Sequence, residues 1–209
     1  MGIALIALSY SSSCSASRED GHTEEVKLVS YGSVIKVQHV ASGHRLHSHE
    51  VNYGSGSAQQ SVTGTPVADD ENSFWVVKGP HGEPRPAQGT PVACNSVIRL
   101  EHLTTRKNLH SHLHLSPFQN QEVSAYASDG NANGDGGDNF RVVCRPDVTY
   151  WERFATVSFE HVDTGMHLQA NPKNKYNQPI AHQIEVSCTA KKSANTQWKS
   201  NEGIYFVNR

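Results

Sequence analysis

A closed, threefold-repeated all-β domain is the architecture this chain predicts. Three stretches match when laid over one another: "GSVIKVQHVASGHRLHSH" from Gly32, "NSVIRLEHLTTRKNLHSH" from Asn95 and "FATVSFEHVDTGMHLQAN" from Phe154. His39, His102 and His161 fall in register, and so do Leu46, Leu109 and Leu168, so two independent anchors agree on one repeat. Within each copy apolar and polar residues alternate over short runs such as "SVIKVQHV", and no stretch has convincing helical periodicity. Several short strands per copy, three times over, suit a ring that closes on itself and leaves no sheet edge to aggregate. The β-trefoil meets those conditions.

The elements follow in order. At the start, "MGIALIALSYSSSCSASRED" carries an apolar run from Ile3 to Leu8 and then small residues up to Ala16 and Ser17, which reads as a secretory signal over residues 1–17, although no Lys or Arg precedes the run. The domain is expected over 26–209. Its first unit, about 26–80, continues from the shared stretch through "QQSV" ending at Val62 to the aromatic Trp75, with "YGSGSAQQS" as a hairpin turn. The second, about 88–145, repeats this with "NQEV" ending at Val123 and Phe140, and the third, about 150–205, with "QIEV" ending at Val186 and Trp198. Each unit is therefore expected to hold about four strands. Two insertions interrupt the pattern: "GPHGEPRPAQGTP" from Gly79, whose prolines forbid a regular ladder, and the polar loop "SDGNANGDGGDN" from Ser128.

The chain has 209 residues, 18 Lys and Arg against 20 Asp and Glu, and 36% hydrophobic residues, a balance that fits one domain and argues against a nucleic-acid partner. No run is long and apolar enough to span a bilayer. Cys14 would leave with the signal. Of the remaining cysteines, Cys94 and Cys144 stand at strand-like edges and are expected to pair, while Cys188 is expected to be a small buried hydrophobe. In a reducing compartment all three would instead stay reduced.

The copies are similar to the MIR motif, a His followed by a Thr-Gly-type turn, a Leu and a nearby Ser. Here it runs His39, Ser42, Gly43, Leu46, Ser48, then His102, Thr105, Leu109, Ser111, then His161, Thr164, Gly165, Leu168. More closely, "LHSHEVNYGSGSAQQSVTG", "NSFWVVKG", "IRLEHLTTRKNLHSH" and "NQEVSAY" resemble the stromal cell-derived factor 2 family across nearly the whole mature chain. That resemblance implies a β-trefoil of three MIR units in the endoplasmic reticulum lumen, acting in protein quality control with a DnaJ-type co-chaperone, a BiP-type chaperone and unfolded clients. The chain departs from the pattern where Arg106 replaces a turn glycine and Ala170 a serine, and "GIYFVNR" carries no KDEL-like signal, so retention by a partner or leakage outward is expected.

Because His39, His102 and His161 recur in every unit beside apolar residues, they are expected to be core groups bonded to buried backbone, like Leu46, Leu109 and Leu168. The pairs His47 with His49 and His110 with His112 differ, since the third unit has Gln169 and Asn171 in their places. On a strand each pair puts two imidazoles on one face, but two ligands are fewer than zinc needs, so no metal is assigned. Solvent-facing polar strands are the expectation, with His47, His49, Tyr53, His110 and His112 as the candidate partner or ligand surface. The chain shows no Gly-x-Ser-x-Gly or His-Glu-x-x-His, and Asp69 with Asp70 reads as a turn former. A non-enzymatic lumenal adaptor without a cofactor is the leading reading. A carbohydrate-binding module linked to protein mannosylation is the alternative, weakened because Gln197 sits directly beside Trp198 where sugar-binding trefoils of the ricin type repeat Gln-x-Trp; regulation of a mannosyltransferase is a third.

Overall fold

The computed structural model describes residues 27–127 and 133–208; the signal stretch 1–17, Cys14, residue 26 and residues 128–132 of the second insertion lie outside them. Among the described residues twelve strands form, four to a unit, as the repeat predicts. The first unit supplies β1 (Val34–His39), β2 (Arg45–Asn52), β3 (Gln60–Thr65) and β4 (Phe74–Lys78). The second supplies β5 (Val97–His102), β6 (Asn108–Leu115), β7 (Gln121–Tyr126) and β8 (Phe140–Val143), and the third β9 (Ser158–His161), β10 (His167–Lys175), β11 (Ile184–Thr189) and β12 (Trp198–Ile204).

Antiparallel pairing runs β12–β1–β4–β5–β8–β9, and a bridge between Val157 and Trp198 joins the last strand back to the first. These six strands make a barrel. The hairpins β2–β3, β6–β7 and β10–β11 close one end, because β3, β7 and β11 pair with one another. This is a β-trefoil. Its interior holds Leu46, Leu109, Leu168, Trp75, Phe140 and Trp198, all fully buried. Burying a side chain of this size is worth about 1.5–3 kcal/mol, so the repeated leucine and aromatic positions alone supply a large share of the driving force.

The three scaffold histidines lock each unit to its neighbour. Every one of them lies directly across a strand pair from the repeat's aromatic: His102 opposite Trp75, His161 opposite Phe140, His39 opposite Trp198. Their rings stand 5.1–5.2 Å from those aromatics. Nε2 of His39, His102 and His161 meets the carbonyl of Asn195, Asn72 and Gly137, the middle residues of three equivalent 3-10 turns, at 3.1, 2.9 and 3.1 Å. A carbonyl only accepts, so Nε2 carries the hydrogen. Nδ1 then accepts from the hydroxyl of Ser42, Thr105 or Thr164 at 2.7–2.8 Å. Burial lowers the pKa of all three, with the carbonyl bond pulling weakly the other way, which keeps the neutral imidazole that this network requires.

A glutamine extends the lock. Gln60 donates to Ser48 and to Thr105 of the next unit at 2.7 and 2.9 Å, and Gln121 repeats this with Ser111 and Thr164. The third unit has Ile184 in place of the glutamine and Ala170 in place of the serine, both buried. Donor and acceptor are lost together, so Ala170 leaves no orphaned polar group. Arg106, the other departure, takes the left-handed conformation (φ 58°) that Gly43 and Gly165 adopt at the matching turns, and its guanidinium pairs with Glu101 at 2.6 Å.

Cys94 and Cys144 form a disulfide across the two ends of the second unit. Cys188 is free and buried, and burial pushes its thiol up to about 12. No helix among the described residues is long and apolar enough to cross a membrane.

Candidate functional site

β2, β6 and β10 each place one polar side chain directly after the buried leucine, beneath the neighbouring 3-10 turn. In the first unit this is His47, whose Nδ1 lies 2.6 Å from Oδ2 of Asp70, the residue that starts the turn Glu71–Ser73. In the second it is His110, whose Nδ1 lies 2.9 Å from Asp138 and 3.5 Å from Asp135. In the third it is Gln169, which donates to Ser187 at 3.1 Å. There the turn is capped by Ser193 and Thr196 instead of carboxylates. A carboxylate-tethered histidine is thus a property of the first two units.

Strand alternation does bring each pair onto one face: the rings of His47 and His49 are 4.8 Å apart, those of His110 and His112 5.3 Å. The expectation that they face solvent is corrected. His47 and His110 are only 5% and 6% exposed, because the 3-10 turn that supplies their carboxylate also covers them. His49 and His112 are half-buried. Tyr53 is corrected outright as a surface residue: it is buried, and its hydroxyl lies 2.9 Å from the carbonyl of Val62 and 3.0 Å from that of Val123, tying the first two units together.

The two pairs end differently. His47 Nε2 lies 2.6 Å from His49 Nδ1, so Ser73, Asp70, His47 and His49 form one chain of hydrogen bonds. Burial would raise the Asp70 pKa, but the bonds from Ser73 and His47 outweigh it and hold the carboxyl low. Burial, and then repulsion from His47, drive His49 down to about 4. Its Nε2 is buried without a hydrogen-bond partner among the described residues. Among the described residues this run of hydrogen bonds therefore ends at His49, with no hydroxyl or thiol on its Nε2.

In the second unit the alternation continues to a third imidazole. His112 and His114 rings are 4.7 Å apart, and His110, His112, His114, Asp135 and Asp163 line an open cleft of about 680 Å³. Glu122, buried on β7, lies 3.3 Å from His112 and binds Ser57 of the first unit. Asp135 and Asp138 come from the "SDGNANGDGGDN" insertion, where they form a capping box and accept from backbone, Asn108 and His110. Sequence reading passed over His114, Asp135, Asp138 and Glu122. The run His-Ser-His-Leu-His did carry the signal for His114; the insertion "SDGNANGDGGDN" resembles a calcium loop in composition only, and nothing in it tells that Asp135 and Asp138 meet a histidine of β6.

Similarity to known proteins agrees with this architecture. Residues 47–195 match the MIR domain family. A stromal cell-derived factor 2-like protein of Dictyostelium discoideum is 50% identical over 182 residues, covering 85% of this chain and 84% of that protein. The crystal structure of the SDF2-like protein from Arabidopsis thaliana superposes with a TM-score of 0.82 at 41% identity, covering 87% of this chain and 99% of that one. The S. cerevisiae protein O-mannosyltransferase Pmt1–Pmt2 complex bound to the sugar donor holds a similar fold, with a TM-score of 0.73 at 25% identity over 89% of this chain and 27% of that one.

Proposed function

The chain belongs to the stromal cell-derived factor 2 family, and from that premise we propose that it is a non-enzymatic adaptor or co-chaperone of the endoplasmic reticulum lumen, working with DnaJ-type and BiP-type chaperones on unfolded clients. The observation that carries the reading is the tip of β6. Leu113 is 84% exposed between His112 and His114, and Leu115 is half exposed, on a hairpin held from below by the Asp138 and Glu122 contacts. An apolar group raised on a rigid polar frame suits reversible docking of a protein segment. Two further points support it. The Asp70–His47–His49 chain ends without a nucleophile among the described residues, and the Cys94–Cys144 bridge fits an oxidising, secretory compartment. Pull-down from a lumenal extract tests the proposal: a DnaJ-type or BiP-type chaperone is expected under native conditions, and recovery of neither rejects it.

A second reading, a carbohydrate-binding module linked to mannosylation, is favoured by the likeness to a protein O-mannosyltransferase complex. The open cleft beside His114 and Asp163 is where a sugar would be sought. A glycan array giving a mannose-type signal supports it, and signal at background rejects it.

A further inference from the structure

Cationic side chains that the threefold ring does not require gather where the first unit meets the second. Lys78 on β4 and Arg106 in the turn after β5 both pair with Glu101 on β5, at 2.7 and 2.6 Å. Counted from the repeat's aromatic and its scaffold histidine, the places of Lys78 and Glu101 hold Asn201 and Gln38 where the third unit meets the first, and Val143 and Glu160 where the second meets the third. The place of Arg106 holds Gly43 and Gly165. Of the three seams, this one alone has a buried carboxylate fitted with two cations, and one of those cations sits on a strained, left-handed backbone.

The insertion that begins at Gly79 turns this seam into a pocket. It folds back so closely on the barrel that a Cβ on Gly79 would collide with Pro86, and one on Gly32 with Gln88. Arg99 holds the Gly79 carbonyl at 2.9 Å, and backbone hydrogen bonds from Gly89 to Tyr31 and from Tyr31 to Thr90 tie down the far end. The pocket so walled measures about 330 Å³, and its lining joins Lys78, Glu101 and Arg106 to Arg85 of the insertion. Arg85 is exposed and makes no ion pair among the described residues. Three cations against one carboxylate leave the lining two positive charges in excess. Glu83 of the same insertion stands outside the lining, though close enough to act on Tyr31.

We propose that this pocket binds a small organic dianion, a dicarboxylate or a phosphate monoester, with its oxygens on Arg85 and Arg106 and its carbon body against Pro86 and Val76. Guanidinium forks meet such oxygens two at a time, and Glu101 holds Arg106 and Lys78 in place before the ligand arrives. The pocket shares no residue with the cleft at His110, so it stands apart from whatever docks there.

The test is calorimetric titration of the full chain with succinate and, separately, with phenyl phosphate, beside inorganic phosphate, which has the charge but no carbon body. At least one of the two organic probes is expected to bind one per chain, more tightly than inorganic phosphate, and the one that binds identifies the source of the charge. Arg85→Gln and Arg106→Gly should each weaken that binding about tenfold or more, the loss of a charge-assisted contact. Lys192→Gln, which removes the same charge from the third unit, should leave it unchanged. Arg106→Gly restores the residue that the other units carry, so it folds and its loss of binding is read directly. Failure of both organic probes to bind one per chain overturns the proposal. So does inorganic phosphate binding as tightly, an Arg85→Gln or Arg106→Gly chain that binds like the parent, or a Lys192→Gln chain weakened as much as Arg85→Gln.

Discussion

His102 and His110 lie eight positions apart, both are buried, and they do opposite work. His102 meets a hydroxyl and a carbonyl, as His39 and His161 do in their units, and all three are held neutral as parts of the ring. His110 meets a carboxylate, as His47 does, and the third unit manages without either. Residue type and burial do not separate a scaffold histidine from a candidate working one. The partner does: a hydroxyl and a carbonyl make a strut, whereas a carboxylate on Nδ1 orients the far nitrogen towards the next group along the strand, as it does His47 Nε2 towards His49.

Replacing the strut's platform should have the largest effect. Trp75→Ala removes the ring against His102 and the indole hydrogen bond to the Leu46 carbonyl, and should lower stability by about 3–5 kcal/mol in chemical denaturation. Thr105→Val comes next. It takes the hydroxyl from His102 Nδ1, leaving that nitrogen only the longer bond from the backbone N–H of position 105 at 3.3 Å, and orphans one hydrogen of Gln60, for a loss of about 1–3 kcal/mol. If instead it matched parent stability, the strut would be decoration and the contrast with His110 would fail.

Acid sharpens the contrast further. The folded pKa values of His39, His102, His161 and His49 lie below the ordinary 6.5, so the unfolded chain takes up protons first. Their contribution is complete above 6.5 and is lost as pH falls towards the folded values, about 4 for His49. The denaturation midpoint should therefore drop from pH 7 to pH 5, and a flat profile would contradict the neutral network. The smallest expected effect is a gain: Arg106→Gly relieves a left-handed residue where the other units have glycine and should stabilise by up to about 1 kcal/mol, part of which is offset by the lost Glu101 pair and the freer unfolded chain.

How much of this was legible varies with how local the information is. The strands, the closure and the histidine and leucine core were readable because a threefold repeat states each position three times, and the Cys94–Cys144 pair was readable from its two strand-edge positions. Burial of His47, His110 and Tyr53 was not. Alternation along β2 and β6 says that side chains share a face, but the cover over that face comes from the 3-10 turns at Glu71 and Gly136, more than twenty residues later in the chain. Asp70 illustrates the same gap. It looked like a turn former, and it is one, yet its side chain serves His47 on another strand. Phe154 shows a third kind of loss, for it holds the left-handed conformation that Gly32 and Asn95 hold in the other units, with no residue-type signal to announce it.

The central claim is that the first two units carry the working face and the third is scaffold. Crosslinking mass spectrometry of the full chain with a DnaJ-type and a BiP-type lumenal chaperone tests it most directly. The account predicts that partner crosslinks fall on Lys107 and other accessible residues of the first two units; crosslinks confined to Lys173, Lys175, Lys191 and Lys192 of the third would contradict it.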